Sequence, residues 1–74
     1  MDFLIKMIWD SEVKRWAAFG SSGMGLVLES DSFDSLIERV KIAAPEMIEL
    51  NLNYKGPINL YFATERVDHL EAVS

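Results

Sequence analysis

Seven apolar residues between Phe33 and Ile48 recur at helical spacing: Phe33, Leu36, Ile37, Val40, Ala44, Met47 and Ile48. That period describes an α-helix with one apolar stripe. Asp34, Glu38, Lys41 and Glu49 fall mostly off the stripe, and Glu38 and Lys41 are spaced for a weak surface pair. Asp31 and Ser32 precede it, and Ser32 is expected to cap the first turn. Asp34 then sits where its charge suits the helix dipole. Pro45 interrupts the pattern, because it donates no backbone hydrogen bond and crowds the carbonyl four residues earlier. The stripe keeps its phase through the proline, so a kink is expected rather than a stop near Ala43.

A single helix of this kind must bury its stripe on another layer, and the flanking segments read as strands. FLIKMIW (3–9) places Phe3, Ile5, Met7 and Trp9 on one face and Leu4, Lys6 and Ile8 on the other. The turn-prone Asp10-Ser11-Glu12 links it to a second strand, VKRWAAF (13–19). LVLES (26–30) is a third. A loop is expected over 51–56, with Pro57 opening a last strand over 58–67. There Ile58, Leu60 and Phe62 alternate with Asn59, Tyr61, Ala63 and Glu65.

The expected fold is α+β, in the order β-β-β-α-β, forming one domain over 1–74 with a loose tail at 68–74. The first three strands form an antiparallel meander. A right-handed crossover through the helix returns the last strand beside the first and parallel to it. The helix covers one face of the four-stranded mixed sheet. The other face carries Leu4, Ile8, Phe19, Val27 and Tyr61, a sizeable apolar patch for a small chain and the candidate interface. A second copy, forming a dimer, or another protein is expected to cover it.

GSSGMG (20–25) invites comparison with a phosphate-binding loop. Such loops run from a strand into a helix N-terminus, whose free amides face the anion. This one leads into LVLE, a strand, and neither GxGxxG nor a following P-loop lysine is present. A flexible strand connection is expected instead.

The chain has 12 acidic and 7 basic residues, a formal net charge of −5, and no cysteine. Phosphate backbones are held mainly by Lys and Arg, so direct nucleic-acid binding is not expected. A basic protein is the better electrostatic match. No apolar run approaches the roughly 20 residues that span a bilayer. MDFLIKMIWD lacks the basic start and cleavage site of a signal peptide, so a cytoplasmic location is expected. Asp10, Glu12, Glu29 and Asp31 offer hard oxygen ligands, yet they flank turns, where such residues have local uses. His69, the single histidine, has no accompanying nucleophile motif and reads as a solvated tail residue. Trp9 and Trp16 are expected to lie near each other across the hairpin and fill the core. The methionines read as gap-fillers. No catalytic set, metal site or cofactor site is expected.

The order and spacing of these segments resemble the HicB-like antitoxin family, in particular its short single-domain relatives of unknown function. The resemblance rests on Trp9-Asp10-Ser11-Glu12, Trp16-Ala17-Ala18, Gly25-Leu26-Val27, Asp31-Ser32 and Pro45-Glu46 before Leu50-Asn51, and runs from about residue 3 to 62. It implies a partial RNase H-like fold without nuclease activity, since such domains lack the acidic catalytic set. It also implies binding to a small basic mRNA-cleaving toxin, with inhibition by occlusion. Many HicB proteins add a helix-turn-helix or ribbon-helix-helix segment for operator binding. These 74 residues contain none, so DNA binding is not expected of them. The alternative expectation is a self-associating protein with no toxin partner, for which the long last strand offers an edge.

Overall fold

A computed structural model describes residues 1–21, 23–68 and 70–72. The elements run β1 (Asp2–Asp10), β2 (Arg15–Gly20), β3 (Val27–Ser30), α1 (Phe33–Leu52) and β4 (Asn59–Glu65). One four-stranded sheet has the order β3-β2-β1-β4. β1 pairs antiparallel with β2 and parallel with β4, and β2 pairs antiparallel with β3. The mixed α+β architecture follows from that order, with the helix packed on one face.

Strand alternation sets the two faces of the sheet. Phe3, Ile5 and Met7 are buried beneath the helix, next to Ala18 of β2. From α1, Leu36, Val40, Ala44 and Ile48 meet them, four residues apart and all buried. Ser32 caps the helix in an extended conformation, its side chain accepting from the Ser35 amide at 3.3 Å. Glu38 and Lys41 pair at 3.3 Å.

The helix does not stop near Pro45 but runs through it to Leu52. Pro45 and Lys41 are both exposed, so the carbonyl left without its helical partner lies on the solvent side. The loop expected over 51–56 therefore begins later. Asn53 adopts a left-handed conformation (φ 52°) and its amide donates to the Glu49 carbonyl at 3.1 Å, closing the last turn.

Strand boundaries also shift. The β1–β2 turn occupies 11–14 rather than 10–12, so β2 begins at Arg15 instead of residue 13. Asp10 Oδ1 accepts from the amides of Glu12 (3.0 Å) and Val13 (3.5 Å), and Lys14 turns left-handed (φ 55°) to re-enter the sheet. β3 begins at Val27 rather than at Leu26, which is buried in the connection that precedes it. β4 starts at Asn59, two residues after Pro57, and ends at Glu65, opposite Ile8, instead of spanning 58–67. Beyond it the Arg66 guanidinium stacks over the Trp9 ring at 4.7 Å and bonds Asp68 at 2.9 Å.

Candidate functional site

The glycine-rich connection between β2 and β3 is the first segment to place. It joins two antiparallel strands, and Gly20 donates to the Leu26 carbonyl at 3.0 Å. No helix N-terminus follows it, so it lacks the geometry that holds a phosphate. Over 23–26 it is not a loose connection either. Met24 is fully buried, and its carbonyl accepts from Asn51 Nδ2 at 2.6 Å. Gly23 (φ 92°) and Gly25 (φ 72°) adopt the left-handed turns that aim Met24 inward. A Cβ on Gly25 would lie 2.8 Å from Asn51 Nδ2, so the loop and the end of α1 meet too closely for a side chain there.

The two tryptophans are direct cross-strand partners, with ring centroids 5.4 Å apart. Trp16 also meets Phe33 edge-on at 4.8 Å. Both tryptophans are half-buried, so they close the end of the core rather than fill its centre. The carboxylates singled out in the sequence have separate surroundings. Asp10 caps its own turn, and Glu29 Oε2 lies 3.6 Å from Arg15 Nε. Among the described residues no group of three or more His, Asp or Glu side chains is placed to hold a metal ion. His69 lies outside the described residues.

The face of the sheet away from α1 has no layer over it among the described residues. The pairing registers define its layout. Val27, Phe19, Lys6 and Ala63 form one row across β3, β2, β1 and β4. Glu29, Ala17, Ile8 and Glu65 form the next, and Leu4 stands beside Tyr61 in the row on the other side. Val27 is 63% exposed, Tyr61 56%, Leu4 49% and Phe19 40%; Ile8 is half-buried. All five candidate residues thus lie on this one surface.

Charge on this face is balanced. Lys6 Nζ lies 3.9 Å from Glu65 Oε2, and Arg15 pairs with Glu29. Two cations offset two anions, so the chain's net −5 resides elsewhere. Part of it lies at the rim, where Asp2, Asp10, Glu12 and Asp31 outnumber Lys14, and part on α1, on the opposite side of the sheet, where Asp34, Glu38, Glu46 and Glu49 outnumber Arg39 and Lys41. The surface is an apolar centre with neutral pairs, bordered by acid. Such a surface suits contact with a protein through burial, with charge acting at the periphery.

A concavity of about 200 Å³ lies under the end of α1, lined by Pro45, Ile48, Tyr54 and Ile58, with Glu49 and Lys55 paired at its mouth (3.7 Å). Tyr54 Oη donates to the Pro57 carbonyl at 2.7 Å and holds the loop that forms its wall. No described helix is long and apolar enough to cross a membrane.

Among curated proteins, none matches the sequence. Among solved structures, a hypothetical protein from the extremely thermophilic bacterium Thermus thermophilus is similar, at 22% identity and a TM-score of 0.76. The match covers 95% of this chain and all of that one, and it shows a shared fold. The family comparison is the more specific: the model of a domain of unknown function, DUF1902, matches residues 2–72, and the chain belongs to that family.

Proposed function

We propose that the protein is a non-catalytic protein-binding module of the HicB antitoxin type, which inhibits a small basic mRNA-cleaving toxin by occlusion. The observation that carries this reading is the uncovered sheet face, where Leu4, Phe19, Val27 and Tyr61 stand in water on a rigid scaffold. Exposed apolar patches of this kind on small domains commonly mark partner surfaces. The acidic rim supports a basic partner: it steers a positively charged protein towards the face, while the apolar centre supplies the burial. The β-β-β-α-β order supports a partial RNase H-like fold. The structural tasks of Asp10 and Glu29, in a turn and in an ion pair, support the absence of catalysis.

The test is an mRNA-cleavage assay with a small basic protein encoded beside this one, run with and without the purified chain. Stoichiometric suppression of cleavage is expected. Suppression should weaken in Leu4→Lys/Val27→Lys, which removes apolar contact and sets new positive charge against a basic surface. Cleavage unaffected by a molar excess of the folded chain would refute the proposal.

A further inference from the structure

β4 lies at the edge of the sheet and bonds to β1 on one side. Among the described residues nothing pairs with its other side. The Asn59 amide donates to the Met1 carbonyl at 2.9 Å, so Asn59 turns its backbone groups towards β1. Those groups alternate sides along a strand, so Tyr61, Ala63 and Glu65 also face β1. Leu60, Phe62 and Thr64 therefore direct their amides and carbonyls outward from the sheet.

Free edges are usually blunted by shortness, proline, lysine or a bulge. The opposite edge, β3, has only four residues. β4 has seven, NLYFATE, with no proline and one charge, at its last position. The layer above it is also incomplete. The helix layer buries Phe3, Ile5 and Met7 of β1 but leaves Leu60 and Phe62, on the helix side of the edge strand β4, only half-buried.

We infer that a second copy of this chain completes the edge, β4 pairing antiparallel with β4 about a two-fold axis at Phe62. The register follows from which backbone groups point outward. Phe62 stands opposite Phe62, and Leu60 opposite Thr64 in both directions. Each opposed pair exchanges two bonds, roughly six in all, and every outward group of the three residues is used. Other antiparallel registers leave some of them unpaired.

The side chains agree with this register. On the helix side the two Phe62 rings become a cross-strand aromatic pair, beside Leu60, where each copy alone is half-covered. On the open face Tyr61 lies against Ala63 of the other copy. Glu65 meets the neutral amide of Asn59 rather than another carboxylate. The contact is isologous and closes at two copies. It joins the two open faces into one continuous eight-stranded surface, able to seat two partners. The inference stands apart from toxin occlusion and survives if that reading fails.

The test combines solution mass by light scattering with amide exchange by NMR, on the full chain. A dimer is expected, with the Leu60 and Phe62 amides slowed on the order of a hundredfold relative to the variant Thr64→Pro. The Thr64 amide points outward, so proline there removes no bond to β1 and blocks only the edge. Thr64→Pro is therefore expected to be a folded monomer. Dilution of the unmodified chain must release the same two amides, a readout that needs no variant. A monomer at submillimolar concentration would overturn the inference. So would a dimer whose Leu60 and Phe62 amides exchange freely, or a Thr64→Pro protein that remains dimeric.

Discussion

Replacing Met24 by alanine is the sharpest test of the glycine-rich connection as a structural plug. Met24 is fully buried among core residues, although it lies in a segment whose composition suggests a surface loop. Truncating a buried methionine to alanine costs about 2–5 kcal/mol, through lost transfer energy and the cavity left behind. Taking about 3 kcal/mol, and a shift of about 4–8 °C per kcal/mol for a domain of this size, Tm should fall by about 12–24 °C. A domain of this length holds only some 4–11 kcal/mol in total, so the loss is a large fraction of its stability. The assay is thermal unfolding followed by circular dichroism at fixed protein concentration, with Met24→Leu as control. The control keeps the volume and should cost less than about 1.5 kcal/mol. A Met24→Ala protein melting within about 3 °C of the parent would refute the reasoning and return the segment to the status of a free loop.

The contact between that connection and the helix end gives a second prediction. Gly25→Ala places a Cβ at φ 72° against Asn51 Nδ2; it should cost about 2–3 kcal/mol in chemical denaturation, combining left-handed strain with loss of the Asn51 bond. Asn51→Ala removes only the bond and should cost less; equal losses would show that backbone strain contributes nothing. At the β1–β2 turn, Lys14 sits at φ 55°, and Lys14→Gly should raise stability by about 0.5–1 kcal/mol, a rise in Tm that an unstrained turn would not produce. Ser32→Ala removes the helix cap and should lower stability by about 1 kcal/mol, with urea midpoints as the readout.

The parts of the fold legible in the sequence are those set by periodicity. The four-residue step from Leu36 to Ile48 identified the buried side of α1, and alternation from Phe3 to Met7 identified the buried side of β1. The same alternation separated Leu4, Phe19, Val27 and Tyr61 from the core before any partner strand was known. Features that depend on tertiary contact were not legible. Met24 reads as a gap-filler by type, but between two glycines nothing local turns it inward, and only the approach of Asn51 and Met47 shows that the loop folds in. The unbroken phase of the apolar stripe already carried the helix through Pro45; what it did not show is that the broken bond faces solvent. Asn53 was an available signal, since asparagine tolerates the left-handed position that ends a helix. The stacking of Arg66 on Trp9 joins residues remote in sequence and has no signature in either segment. Nor does any spacing show that the helix layer stops short of β4 and leaves Leu60 and Phe62 half-covered.

The central claim is that the open face holds a protein partner of basic character. The most direct measurement is a pull-down of the tagged chain from its source cells, beside the Leu4→Lys/Val27→Lys form, with captured proteins identified by mass. The account predicts one small basic protein recovered stoichiometrically with the parent chain and lost with the variant. Recovery of the bait alone, or equal capture by a variant that is still folded, would contradict it.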